Sequence, residues 1–373
     1  MTDTKIIAMY LPQFHCIPEN DEFWGKGFTD WVTVRKAKPL FEGHKEPKVP
    51  LNDNYYDLSV KEHVAWQAKI AKENGIYGFG AYHYWFNNEK NLLTKPTETI
   101  RDNKDIDINY FFVWDNCLWK RSWSNVSGNA WSPIADEEQT KEQRKGPQVL
   151  IPYILGEEPD WENHYNYVKT HFKEDRYIKI DGKPVFCIIN YGKDIQRMCD
   201  FWDKLAKKDG YPGMHFIFKF SQYIKYPQNT FCYNYEPHSA AWNTPSTVQR
   251  YINFAKRKLG INFRYLTYDY DKIWKKMIKY YSNSCPKNVY PGAFINYDDS
   301  PRRGNKGSRL FTGFSVDKFH KYLKELYSIA RQNNKEFIFL TAWNEWGEGA
   351  YLEPDNENGY KYLEAIKSIV EEK

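Results

Sequence analysis

Residues 341–355 read TAWNEWGEGAYLEPD and follow directly on the apolar run FIFL at 337–340. They place Glu345 and Glu348 three apart, with Trp343, Asn344 and Trp346 around them and glycines at 347 and 349. Residues three apart on one helical turn have Cβ atoms roughly 5–6 Å apart. If the chain turns where the apolar run ends, as Gly347 and Gly349 permit, both carboxylates share one site. Retaining glycosidases hold their two carboxyl groups roughly 5–5.5 Å apart. One of such a pair must keep its proton to serve a leaving oxygen. Nearby indoles and a neighbouring negative charge both raise its pKa, and Trp343 and Trp346 are placed to do so. The plain alternative is that Glu348 pairs with a rim cation, or that one carboxylate caps a loop amide. Glu353, ahead of Pro354, is expected on the rim.

Two other stretches are dense in polar and aromatic groups. HCIPENDEFWGKGFTDW (15–31) carries Glu19, Asp21, Trp24, Asp30 and Trp31, and either lines a cleft or covers the fold. NYDDSPRRG (296–304) sets acids beside arginines. It reads as an internal ion-pair network or as a contact for an acidic or phosphorylated sugar.

These groups need elements to hold them. Short apolar or aromatic runs alternate with amphipathic stretches along the chain. Strands are expected at 5–14, 77–86, 108–116, 184–190, 215–221, 230–237, 289–299 and 336–346. Helices are expected at 59–74, 93–103, 159–173, 194–209, 246–259, 270–282 and 315–332. Ser59 with Glu62 suggests a capping box, and Gly75 a stop. A polar segment at 120–147 reads as an excursion or lid, with 149–154 extended beside it. Eight strands mostly separated by helices predict an α/β fold, a (β/α)₈ TIM barrel with long βα loops. The expected organisation is one catalytic domain over residues 1–373. An open doubly wound sheet competes, but the glycine-rich phosphate turn such folds often carry after the first strand is absent.

Active sites of these barrels lie at the C-terminal strand ends. The first strand and its loop offer Tyr10, Gln13, His15 and Trp24. The second offers Tyr82, His83 and Trp85, and the third Trp114, Asn116 and Trp119. The sixth offers Tyr235 and Glu236, and the seventh Tyr297, Asp298 and Arg302. The eighth adds Asn344 and Trp346 around Glu345 and Glu348. Any one of these has a structural explanation. Together they suggest a cleft for a polyhydroxylated ligand, whose hydroxyls would partner amides and charges at the mouth.

Composition narrows the classes. The chain has 373 residues, 41% hydrophobic and 27% charged, with a formal net charge of +5. KRKLG and KIWKKMIK read as surface helices, without a nucleic-acid motif. Thirty Tyr and fourteen Trp exceed what a core usually needs, and large rings with polar edges suit wet surfaces that bind sugars. The six cysteines form no CxxC and read as reduced thiols. No metal-ligand set, cofactor motif or G-x-S-x-G elbow is present, so no metal and no cofactor is expected. There is no signal-peptide h-region near the start and no transmembrane span, so a cytoplasmic protein is expected unless the natural chain begins upstream.

YLPQFHCIPENDEFWGKGFTDW, YHYWF and TAWNEWGEGAYLEPD together resemble the WbsX-like family, found around bacterial polysaccharide loci and related to glycoside hydrolase family 99. The resemblance covers nearly the whole chain and implies a (β/α)₈ barrel acting on an oligo- or polysaccharide. Family 99 enzymes are retaining endo-α-mannosidases and endo-α-mannanases with an N-E-W-x-E motif, matched here by Asn344-Glu345-Trp346-Gly347-Glu348. The resemblance implies that Glu345 removes the proton of a sugar 2-hydroxyl, which attacks C1 to give a 1,2-anhydro sugar. Glu348 then protonates the leaving oxygen and later activates water. Family 99 typically has His where this chain has Gly347. The WbsX-like family is often labelled glycosyltransferase, which keeps a transferase or transglycosylase of O-antigen or capsule assembly as the alternative, although no DxD is present. A non-catalytic glycan-binding barrel is a third reading.

Overall fold

Runs of consecutive apolar residues are what strands buried on both faces require. KIIAMY forms β1 (Lys5–Tyr10), with five of its six residues buried. β2 (Gly78–Asn87), β3 (Asn109–Trp114), β4 (Lys183–Ile188), β5 (His215–Lys219) and β6 (Phe231–Tyr233) follow. β7 (Val289–Tyr290), β8 (Gly292–Phe294) and β9 (Phe337–Thr341) complete the set. This computed structural model describes residues 3–120, 149–242, 265–305 and 307–372.

The sheet order is β7-β6-β5-β4-β3-β2-β1-β9-β8, every neighbouring pair parallel. The two ends of this path, β7 and β8, are separated in sequence by Pro291 alone. β7 pairs with β6 (Cys232 opposite Val289), and β8 pairs with β9 (Gly292 opposite Phe339). They occupy one barrel position, and the chain changes partners at a residue without an N–H. The Pro291 carbonyl still accepts from Phe339 N at 2.9 Å. The result is the eight-position α/β barrel expected from the alternation of runs.

Around it lie α1 (Lys61–Glu73), α2 (Lys95–Asp102), α3 (Glu158–Phe172), α4 (Lys193–Lys208), α5 (Tyr270–Asn283), α6 (Val316–Gln332) and α7 (Lys361–Glu371). α6 shows the logic. Phe319, Tyr322, Leu323, Leu326 and Ala330 recur at helical spacing and are buried, and the Ser315 side chain caps Lys318 N. No helix among the described residues is long and apolar enough to cross a membrane.

Several expectations are corrected. Ser59 and Glu62 form no capping box: α1 starts at Lys61 with Val60 as an uncapped N-cap residue, and the Ser59 N–H donates to Asp57 Oδ1 instead. β6 is three residues long, and β9 stops at Thr341, short of the glutamates. The extended stretch expected from 149 is present at its start, where Val149–Ile151 pairs antiparallel with Trp119–Lys120. α7 and the short helices Pro18–Trp24 and Asp30–Lys36 were not anticipated. The segment at 120–147, apart from residue 120, and the expected helix at 246–259 lie outside the described residues. The aromatic excess also has a different destination. Among the described residues, eleven of the twelve largest fully buried side chains are Trp or Tyr, so aromatic mass builds the core as well as any cleft.

Candidate active site

After β9 the chain forms a small hairpin, Asn344–Glu345 against Ala350–Tyr351, with a 3-10 turn at Trp346–Glu348 between its arms. Side chains three apart eclipse one another on such a turn, which places Glu345 and Glu348 on one side. Gly349 closes it in the left-handed region at φ 57°. Asn344 locks the hairpin to the end of β1: Leu11 N donates to its Oδ1 (2.7 Å) and its Nδ2 donates to Leu11 O (2.9 Å). Trp346 Nε1 donates to Glu353 Oε2 at 2.7 Å, and Glu353 also accepts from Tyr56 and Gln67. Glu353 is therefore a fully buried brace, not a rim residue.

Both glutamates meet one cation. Arg302, on the short helix Ser300–Arg303 after β8, donates from one terminal nitrogen to Glu345 Oε2 (3.0 Å) and from the other to Glu348 Oε1 (2.7 Å). Its inner edge donates to Asp30 Oδ1 and Oδ2 at 3.3 and 3.2 Å. Gly347 N also donates to Asp30 Oδ2, at 3.1 Å. None of these four charged residues is more than 8% exposed. Three carboxylates thus face one guanidinium in a desolvated place. Burial pushes the Glu345 carboxyl up to about 8; Arg302 opposes this, and Glu348 and Asp30 add to it.

The cluster opens on a cavity of about 400 Å³ at the C-terminal strand ends. Glu345, Glu348, Arg302, Gln13, Trp24, Tyr82, Trp119 and Tyr235, all expected in a cleft, line it. Tyr82 and Tyr235 join hydroxyls at 3.2 Å, and Gln13 Nε2 donates to the Tyr84 hydroxyl at 3.3 Å. Asp30, from the stretch that either lines a cleft or covers the fold, lines it, as do Tyr84, Asp115 and His238 from the strand ends expected to face a cleft; Lys219 lines it too and was not anticipated. Tyr84 lies two residues from Tyr82 along the strand and so shares its face. Lys219 ends β5 directly opposite Tyr233 of β6, a register no single sequence displays. Cys117 lines the cavity too, but burial, with help from Asp115, pushes its thiol up to about 12, which removes it as a nucleophile.

The remaining expected residues lie elsewhere, for identifiable reasons. His83 and Trp85 alternate with Tyr82 and Tyr84 and face α3: His83 Nε2 lies 2.8 Å from His164 Nε2, and Trp85 stacks on His164 at 4.5 Å. Trp114 joins that layer by donating to Trp85 O (2.9 Å). The Tyr10 hydroxyl donates to Gln67 below the hairpin. His15 is buried in the first loop, away from the lining. Asn116 ties the end of β3 to Asn190 through two hydrogen bonds. Glu236 accepts from Ala240 N and the Tyr281 hydroxyl. Tyr297 donates to Asp299 and packs on Trp242 at 5.0 Å. Asn344 and Trp346 act in the hairpin itself.

Asp298 belongs to a separate trio with His44 and Glu46, whose candidate ligand atoms lie within 4.8 Å of one another. Leu40 N donates to His44 Nδ1 (3.0 Å), so the imidazole proton sits on Nε2 and goes to Asp298 Oδ2 at 2.6 Å. That leaves His44 no lone pair for a cation. A proton serves instead: burial, then Asp298, push Glu46 up to about 8.

The family model described as Glycosyltransferase WbsX matches residues 6–366. The chain belongs to that family. Two curated relatives, the proteins called "Uncharacterized protein WxcX" of two Xanthomonas campestris pv. campestris strains, are each 27% identical over 386 residues. The match covers 98% of this chain and 49% of theirs, so the chain spans about half the length of those relatives. Among solved structures, a "Glycoside hydrolase-like protein" aligns with TM-score 0.55 at 13% identity, covering 99% of this chain and 94% of that one. The GH99 endo-alpha-mannosidase from Bacteroides thetaiotaomicron aligns with TM-score 0.51 at 14% identity, covering 100% and 98%. At such identities the likeness shows the shared barrel fold.

Proposed function

We propose that this member of the WbsX family is a retaining α-glycosidase, one catalytic barrel that cleaves a mannose-containing or related bacterial glycan. One observation carries the reading: two glutamates at either end of a single 3-10 turn, joined by Arg302 at the mouth of an aromatic-lined cavity, with more acid than the guanidinium can balance. A two-step displacement through a 1,2-anhydro sugar needs one carboxylate and one carboxylic acid side by side. In the first step Glu345 takes the proton of the 2-hydroxyl as that oxygen bonds to C1. Glu348 delivers its proton to the departing glycosidic oxygen. Water then opens the anhydro ring with Glu348 as base, and Glu345 returns the proton to O2.

The raised pKa of Glu345 favours a second assignment, in which Glu345 is the acid and Glu348 the base. The two groups share Arg302, so kinetics must separate their roles. Glu345→Gln and Glu348→Gln are each expected to lose at least a thousandfold in kcat/KM on a natural glycan while still binding a mannose-configured imino sugar. On an aryl glycoside, whose leaving group needs no protonation, only the variant lacking the acid recovers. Unchanged activity in both variants sinks the hydrolase reading. The family's description favours a transferase instead, and a rise in melting temperature with sugar nucleotides, absent with oligosaccharides, is the result that would support it.

A further inference from the structure

We propose that Asp30 is a positioning residue for the glutamate pair: it fixes the plane of the Arg302 guanidinium and sets how many protons the pair holds. The inference rests on the two-glutamate reading above. Asp30 comes from the loop after β1, far in sequence from both glutamates, yet its side chain is only 6% exposed and lies against Arg302 and Gly347 N.

Its oxygens are used in two directions. Toward Arg302 they hold the Nε edge and one terminal nitrogen, which leaves the outer edge to address Glu345 and Glu348. A guanidinium is planar, so fixing one edge fixes the other. Toward the turn, Asp30 Oδ2 accepts the Gly347 N–H, so the same carboxylate registers the segment between the two glutamates. The glycine makes this approach possible. A Cβ at Gly347 would lie 2.5 Å from Arg302 Nε and 2.6 Å from Asp30 Oδ2.

Charge makes the role more than mechanical. With Asp30 ionised, Arg302 is already balanced, and each glutamate of the pair that ionises stands as uncompensated buried charge. Without Asp30, Arg302 balances one glutamate by itself. Other titratable groups face the cluster. Tyr82 and Tyr84 of β2, Tyr235 after β6 and Tyr297 after β8 are all pushed upward by burial and stay neutral. Asp299, beside Glu348, is pushed up to about 6 by burial against the pull of Arg303, whose Nε lies 2.7 Å from its Oδ2. Asp30 is the acid bonded to Arg302 whose charge can be changed without touching either glutamate.

The test is Asp30→Asn, which keeps shape and removes charge, beside Asp30→Glu, which keeps charge and moves it. The pH dependence of kcat/KM and of the unfolding midpoint is measured for each. For D30N we expect the alkaline limb of the rate profile to move at least one pH unit toward acid. The fall in unfolding midpoint from pH 6 to 9 should shrink as well. D30E should retain the wild-type alkaline limb while losing at least tenfold in kcat at unchanged KM. A D30N profile that keeps its alkaline limb overturns the proposal, whatever happens to the rate. If D30N does not fold, a D30E alkaline limb displaced by a unit or more overturns it. The unfolding series needs no substrate, so it stands even if Glu345→Gln and Glu348→Gln refute the hydrolase reading.

Discussion

Gly347 is where a single added carbon should do most damage. An alanine Cβ there would sit 2.5 Å from Arg302 Nε and 2.6 and 2.9 Å from the two Asp30 oxygens. Its φ lies outside the positive region, so the cost is steric and not conformational. Ordinary contact needs about 3.4 Å or more, so the ion pair must retreat by about 1 Å. Its bonds are already 3.2 and 3.3 Å, and that retreat breaks them. Overpacking alone costs about 1–3 kcal/mol, and breaking a buried ion pair outright about 3–5 kcal/mol. Arg302 keeps its two glutamates, so Gly347→Ala should lose about 2–4 kcal/mol, read as a lower denaturant midpoint at unchanged slope. Removing the obstacle tests the cause. Asp30→Ala in the same chain should make the double variant less destabilised than the sum of the singles by about 1 kcal/mol or more. A loss below about 0.5 kcal/mol in G347A, or strict additivity in the pair, refutes the steric account.

Three further outcomes follow from the same chemistry. Glu345 and Glu46 (each up to about 8) and Glu353 and Glu236 (each up to about 7) hold protons in the folded chain that they release when unfolded, where carboxyls titrate near 4.5. Fewer protons bound in the unfolded state means stability falls as pH rises through the window from about 4.5 to about 8. Urea midpoints should drop across it, and Glu345→Gln should gain on the wild type as pH goes from 5 to 9; a flat series contradicts the charge count. Glu353→Leu strands three buried donors, on Trp346, Tyr56 and Gln67. At about 1–3 kcal/mol for each orphaned group, we expect at least 3 kcal/mol of lost stability by denaturant titration, and a loss under 1 kcal/mol contradicts the brace. Trp119 faces the cavity edge-on to Tyr84, ring centroids 5.5 Å apart. Trp119→Ala should weaken oligosaccharide binding at least tenfold by calorimetry with little change in melting temperature, and unaltered affinity removes Trp119 from the site.

What could be read in advance, and what could not, follows from the range of the forces involved. The barrel was legible because its signals are local: an apolar run buries itself whatever its partner, and helices with one apolar face mark the crossovers. The glutamate pair was legible for the same reason, since three residues of spacing and two glycines settle a turn. Orientation along β2 was harder. YHYW looks uniform by residue type, yet the strand's two-residue period sends Tyr82 and Tyr84 into the cavity and His83 and Trp85 to α3. Which parity faces inward depends on the pairing register of β1 and β3 with β2, a non-local fact.

Charge is the least local property of all. Glu345, Glu348 and Glu353 lie within nine residues, are all carboxylic acids and are all buried. What distinguishes them is the group each one meets. Glu353 meets three neutral donors from its own loop, α1 and the chain before it, and becomes a strut. Glu345 and Glu348 meet an arginine over forty residues upstream, already half-claimed by an aspartate at position 30. The motif supplies the acids, but their proton count is settled by Asp30 and Arg302, which lie outside it. A chain carrying the same five-residue motif without that pair should form the turn and still lack the stored proton. The electrostatic setting of the glutamate pair is therefore a property of the closed barrel, which alone brings the loops after β1, β8 and β9 to one point.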